Sequence, residues 1–211
     1  MTEPDSVASI TVYSDYVCPF CYLGRESLRR YQDRRSAPLE IEWHPFDLQA
    51  GRRDADGNVD HSVDDGKDEE YYEQAKENVR RLQEKYGVEM DLDIARDVDS
   101  LAAQLVSYHV RETREYDAWL AFDAALFDAL WQDGRDIGDA EVLQAVAHES
   151  GLDDGVVDTA LADDRLRADL FDLFDRARRE GVSGVPTFAY DGYAARGAVP
   201  PEQLQRLVEG V

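Results

Sequence analysis

Apolar and polar residues alternate over Ser9–Tyr13 (Ser-Ile-Thr-Val-Tyr) with β-branched side chains throughout, which predicts a strand. A helical spacing then takes over from Tyr22 to Arg35, with Leu23, Leu28 and Tyr31 as the candidate buried positions. Pro19 just ahead of it suits a first helical turn, where a missing N–H costs nothing. Leu39–Phe46 alternates again and predicts a second strand, with Pro45 marking its end. Gln49–Asp68 is polar and glycine-bearing and reads as a loop.

The next stretch is helical in nearly every window. Tyr72, Ala75, Val79, Leu82 and Tyr86 follow three- and four-residue steps and stop at Gly87, a suitable helix-ending glycine. Further helices are predicted from about Ser100 to Thr113 and from Tyr116 to Trp131, the second carrying Trp119, Phe122, Leu126, Leu130 and Trp131. Asp139 can cap another, with Val142, Leu143 and Val146 inward until Gly151. A short turn at Val156–Ala162 precedes Arg165–Glu180, with Leu166, Leu170, Leu173 and Phe174 inward and Gly181 closing it.

The strand pattern returns at Thr187–Tyr190, followed by the hairpin signal Asp191-Gly192 and a returning strand Tyr193–Gly197. Pro200-Pro201 opens a last helix carrying Leu204, Leu207 and Val208. The order predicts an α/β protein in which helices pack on a small mixed sheet interrupted by a helical block. The expected division is a discontinuous unit of residues 1–66 and 181–211, with an all-helical insertion at 67–180.

Composition adds two constraints. No apolar run approaches the roughly 20 residues needed to span a bilayer. The start Met1-Thr-Glu-Pro-Asp-Ser has neither the basic nor the apolar region of a secretory signal, so a cytoplasmic location is expected. The net charge is −23, with acids spread along the whole chain and lysine only at Lys67, Lys76 and Lys85. Such a surface disfavours nucleic acid and anionic membranes as partners. Excess Asp with scarce Lys is similar to the proteins of extreme halophiles.

The only two cysteines fall at Cys18-Pro19-Phe20-Cys21, between a predicted strand and a predicted helix. In that context the spacing reads as redox and not as zinc. The first turn of a helix offers unpaired N–H groups and the positive end of the dipole, which favour thiolate over thiol. Thiolate is the nucleophile in disulfide exchange. Cys18 takes that position, and Cys21, one turn on, is placed to attack a mixed disulfide. The second candidate half is Gly181-Val-Ser-Gly-Val185-Pro186-Thr187-Phe188. A cis proline there would put the Val185 backbone beside Cys18, ready to pair with an extended substrate. An ordinary trans proline opening a strand is the other reading.

Ser14-Asp15-Tyr16-Val17-Cys18-Pro19-Phe20-Cys21-Tyr22-Leu23-Gly24, the Gly181–Phe188 stretch, and Trp43-His44-Pro45-Phe46 between them resemble the DsbA family, and within it the cytoplasmic FrnE-like subgroup. The resemblance runs over essentially the whole chain. It implies a thioredoxin-like fold split by helices, Cys18 as nucleophile, Cys21 as resolving thiol, Pro186 in cis and Val185 as its substrate-contacting neighbour, with Pro19 and Phe20 beside the sulfurs. Phe20 stands where relatives often have Trp, and Gln104 where they often have His. The motif lacks the basic residue of periplasmic members, which implies a less oxidising dithiol than theirs.

Other residues carry alternatives. Asp15 is a candidate proton acceptor near the dithiol, or a turn and capping residue. His44 is a candidate second-strand neighbour of the site, or a satisfied histidine. Half a zinc site is conceivable for the cysteines, yet four ligands are needed and His44, His61, His109 and His148 are scattered. Three functions follow. The first is thiol–disulfide exchange with a protein or low-molecular-weight thiol, needing no cofactor. The second is a glutathione-dependent isomerase or transferase of the 2-hydroxychromene-2-carboxylate isomerase or kappa type, in which Cys21 has no task. The third is a thiol chaperone or metal-binding module.

Overall fold

The computed structural model describes residues 7–54, 57–60, 62–64, 66, 68–92 and 98–210. The amino-terminal segment, His61, the proposed boundary at 66/67 and parts of the acidic runs at 54–56, 64–70 and 91–99 lie outside the described residues.

The sheet is built around its first strand, β1 (Ala8–Ser14), whose Ile10 and Val12 are fully buried. β1 pairs in parallel with β2 (Leu39–Pro45) and antiparallel with β3 (Thr187–Tyr190), which in turn pairs with β4 (Tyr193–Arg196). The strand order is β2-β1-β3-β4, so the strand that leads into the dithiol is central. Asp191 and Gly192 both have positive φ, at 48° and 79°, as a two-residue hairpin turn requires.

The helix α1 (Pro19–Gln32) crosses over between β1 and β2. It begins earlier than the apolar spacing predicts, because Cys18 supplies the extended N-cap and Pro19 the first helical residue. It also ends before Arg35. The N–H groups of Arg34 and Arg35 turn to the carbonyls of Tyr31 and Gln32, three residues back, and this tightening unwinds the last turn.

Six helices lie between β2 and β3 among the described residues: α2 (Glu69–Tyr86), α3 (Leu101–Thr113), α4 (Tyr116–Trp131), α5 (Ala140–Glu149), α6 (Val156–Leu161) and α7 (Asp164–Arg179). Among the described residues of the loop before them there is one short 3-10 turn, Ala50–Arg52. Aspartates cap three of these helices: Asp68 accepts from the Tyr71 N–H, Asp139 from Glu141, and Asp163 from Arg165 and Leu166. α3 and α4 are the buried pair, with Leu105, Val106, Phe122 and Leu126 inaccessible.

The stripe on α2 is covered less than its spacing suggests. Val79 and Tyr86 are buried, while Tyr72, Ala75 and Leu82 stay half-exposed. Val142, Leu166 and Leu173 likewise sit half-buried at the margins of their helices. Each helix borders the block on one flank, so only the middle of its apolar face meets a neighbour. The terminal helix α8 (Pro201–Glu209) packs on α1 and on the hairpin. The arrangement is a mixed α/β, thioredoxin-like fold interrupted by helices.

Candidate dithiol site

β1 delivers its carboxyl end to a tight turn. The Cys18 N–H donates to the Asp15 carbonyl at 3.1 Å, and the Val17 N–H to the Asp15 carboxylate at 3.3 Å. Cys18 is therefore held at the N-terminal end of α1, and the Cys21 N–H bonds its carbonyl at 2.9 Å one turn later. Both cysteines are free thiols. Cys18 retains 5% exposure and Cys21 none, so an incoming sulfur can meet only Cys18 first. Burial, helped by the hydrogen bond and charge of Cys18, pushes the Cys21 thiol well above its ordinary range; a hydrogen bond from the Asp15 backbone works the other way.

The Cys18 sulfur stands 3.6 Å from the Val185 carbonyl oxygen. The Val185–Pro186 peptide is cis. Its loop is pinned on both sides: the Gly197 N–H donates to the Pro186 carbonyl at 2.8 Å, and the Thr187 hydroxyl to the Gly184 carbonyl at 2.8 Å. Gly181, with φ of 84°, supplies the left-handed residue that ends α7 and releases the chain toward this loop. Pro186 is buried, whereas Pro19, Phe20 and Val185 are half-exposed and form an apolar margin around the sulfurs.

Asp15 is fully buried beneath the turn. One carboxylate oxygen accepts from the Ser100 hydroxyl at 2.6 Å and the Gln104 amide at 3.2 Å; the other accepts from the Leu48 N–H at 2.9 Å. Burial raises its pKa to about 7 against the pull of the Ser100 and Leu48 bonds, and the neighbouring charge of Asp47 adds to the rise. Asp47 is itself buried and paired with Arg53, Nε to Oδ2 at 2.7 Å. Arg53 also grips Asp99 with both terminal nitrogens, at 2.8 and 2.9 Å. The chain leaving β2 and the chain entering α3 are thus fastened together directly under the dithiol turn.

A second buried network lies on the other side. The Tyr16 hydroxyl donates to Asp123 at 2.9 Å and accepts from the Ser107 hydroxyl at 2.7 Å, the Trp119 ring N–H reaches the same Ser107 oxygen at 3.1 Å, and Arg25 pairs with Asp123. The Trp131 ring N–H holds the Tyr16 carbonyl at 2.8 Å. These bonds clamp the residue two places before Cys18 to α3 and α4.

Of the positions singled out in the sequence, Cys18, Cys21, Val185, Pro186, Pro19, Phe20 and Asp15 gather around one point. His44 does not join them: its ring lies on Tyr13 at 4.7 Å and its Nδ1 faces the Pro45 carbonyl at 3.1 Å. Ser100, Tyr16 and Arg53 gave no sequence signal as parts of the site, and Gln104 was visible only as a departure from relatives. Among the described residues, no three His, Cys, Asp or Glu side chains are grouped to hold a metal, and no helix is long and apolar enough to cross a membrane.

Comparison with known proteins agrees with this architecture. Uncharacterized protein YwbO of Bacillus subtilis (strain 168) is 28% identical over 203 residues, covering 94% of each chain. The crystal structure of a probable DsbA oxidoreductase from Streptomyces coelicolor superposes with a TM-score of 0.77 at 23% identity, covering 96% of this chain and 88% of that one. A 2-hydroxychromene-2-carboxylate isomerase superposes with a TM-score of 0.73 at 21% identity, covering 94% and 92%. These two structural likenesses establish the fold. The family described as DSBA-like thioredoxin domain matches residues 9–209, and the chain belongs to that family.

Proposed function

We propose that the protein is a thiol–disulfide oxidoreductase acting on a protein or low-molecular-weight thiol partner. The observation that carries this reading is the half-covered pair: a Cys18 sulfur facing the Val185 carbonyl, with Cys21 buried one turn behind it. The Cys18 thiolate attacks a substrate disulfide, forming a mixed disulfide and expelling one substrate thiolate. The Cys21 thiol then passes its proton to the Asp15 carboxylate and attacks the Cys18 sulfur. The second substrate thiolate leaves, and two electrons have moved from the dithiol to the substrate. A thiol or dithiol of another molecule returns them by the reverse exchange.

Pro19, Phe20, Val185 and Pro186 form the substrate margin in this reading, and Val185 offers backbone hydrogen bonds to an extended segment. The division at 66/67 and 180/181 belongs to the same proposal, with the helices supplying the floor under Asp15. The isomerase-like alternative leaves Cys21 without a task.

The test is a redox titration in concentrated KCl, read by mass after trapping free thiols. A reversible Cys18–Cys21 disulfide is expected, nearer the thioredoxin potential of about −270 mV than the DsbA value of about −120 mV. Cys21→Ser is expected to accumulate the mixed disulfide on Cys18, and Cys18→Ser to form none. Absence of an intramolecular disulfide across that range overturns the proposal and brings the glutathione-dependent reading forward.

A further inference from the structure

The Gln104 side chain is fully buried on the first turns of α3, and only half of it is used. Its amide nitrogen donates to Asp15 at 3.2 Å, to the Phe46 carbonyl at 3.2 Å, and reaches the Ser100 oxygen at 3.0 Å. Its amide oxygen is buried with no hydrogen-bond partner. An orphaned buried acceptor is destabilising, and a leucine or methionine at this place would avoid it. The neighbour it lies beside changes from acceptor to donor when it takes up a proton. An ionised carboxylate only accepts; a protonated one has an O–H to donate. A side-chain amide carries both functions; rotating its terminal group exchanges them and gives up the Nε2 bonds to the Phe46 carbonyl and Ser100, in return for a bond from the acid.

We propose that Gln104 is a positioning residue that serves Asp15 in both protonation states, its N–H₂ facing the carboxylate and its oxygen facing the carboxylic acid. The inference rests on the reading of Asp15 as the acceptor of the Cys21 proton. It gives the helical block a part in the second half of the exchange. The charged and titratable groups around Asp15 are Cys21 from α1 and Asp47 from the chain leaving β2, the latter paired with Arg53, which also holds Asp99 ahead of α3. Ser100 is a neutral donor to the carboxylate, and the Leu48 and Val17 N–H groups are fixed donors. Among these contacts only Gln104 brings an acceptor that is otherwise unused.

The two chemical steps can be read separately with 5,5′-dithiobis(2-nitrobenzoate). Attack by Cys18 releases one coloured thiolate and leaves the other in a mixed disulfide. Attack by Cys21 then releases the second thiolate while its own proton goes to Asp15. Stopped-flow absorbance from pH 5 to 9 gives a profile for each phase. Gln104→Met is nearly the same size and cannot serve either form. It is expected to leave the first phase unchanged and to raise the midpoint of the second by roughly half a pH unit, because the bond lost from the charged carboxylate outweighs the neutral bond lost from the acid. Asp15→Asn is the control, expected to abolish that inflection.

An inflection that survives in Asp15→Asn overturns the reading of Asp15. An inflection lost in Asp15→Asn but unmoved in Gln104→Met overturns the role of Gln104 alone. A measurement on the unaltered protein covers failure of the variant to fold. The side-chain amide resonances of Gln104 are expected to shift with the same midpoint as the second phase, and resonances constant through that range overturn the proposal.

Discussion

Gly24 lies so close to Pro186 that no side chain fits between them: a β-carbon on Gly24 would stand 3.0 Å from Pro186 Cγ and 3.1 Å from the tip of the Phe188 ring. Both neighbours are buried, and neither ring has a free end to swing aside. The glycine lets the helix that carries the dithiol sit directly on the loop that carries Val185. Gly24→Ala gains up to about 1 kcal/mol of helix propensity. Overpacking of this kind costs about 1–3 kcal/mol. A net loss of about 1 kcal/mol is expected in urea unfolding, with faster alkylation of Cys18 as the loop is pushed away. A more stable variant with unaltered alkylation would show that the β-carbon is accommodated without moving the loop.

Asp15 gives a stability that depends on pH with a definite sign. Its pKa is about 7 in the folded protein against an ordinary value of 3.8. Below about pH 4 both folded and unfolded chains hold the proton, and the contribution is at its most favourable. As pH rises toward 7 the unfolded chain releases the proton while the folded one keeps it, so stability falls; above the folded pKa the fall ends. The span corresponds to on the order of 4 kcal/mol. Asp15→Asn is expected to remove this decline, so its stability relative to the natural protein improves between pH 4 and 7. Parallel stability curves for the two proteins across that range would contradict it.

The Arg53 side chain is only 4% exposed and its partner Asp47 1%, so the pair has little water to fall back on. Arg53→Met leaves Asp47 charged, buried and unpaired. The expected cost is about 3–5 kcal/mol. Because Asp47 already raises the pKa of Asp15, the Asp15 inflection should move further up. Combining Arg53→Met with Asp47→Asn should recover most of both effects, and denaturant curves with thiol-exchange profiles on the three variants check it.

A chain with a net charge of −23 repels itself when counterions are removed. Screening reaches only about 3 Å in 1 M salt but about 30 Å at 0.01 M, so dilution brings distant acids into conflict. The oxidised and reduced forms are both expected to lose structure as KCl is withdrawn. Circular dichroism that stays constant into dilute buffer would contradict this.

Much of this architecture is legible from residue patterns. The alternation at Ser9–Tyr13 and Leu39–Phe46, the hairpin signal at Asp191-Gly192 and the cap at Asp139 correspond to observed elements. Local chemistry is strong there, since caps and turns are decided by a few adjacent residues. The start of α1 is legible from Pro19 and the cysteine spacing and not from its apolar face, which begins only at Tyr22. The half-exposed stripe of α2 reflects what packs against it, and spacing within one helix does not contain that. Asp15 illustrates the same limit at the site. Its distance from Cys18 in sequence permits either a surface turn or a buried acid, and the choice is made by Ser100 and Gln104, some ninety positions away.

The carbonyl that faces Cys18 is separated from it by 167 residues. During synthesis at roughly 5–20 residues per second, the sulfur leaves the ribosome on the order of ten to thirty seconds before Val185 is made. Through that interval β1 has no β3 to pair with, and the long closure that joins them comes late. A nascent or truncated chain therefore carries both thiols without the wall that shapes access to them. Until the last strands are made, Cys18 has no Val185 carbonyl facing it.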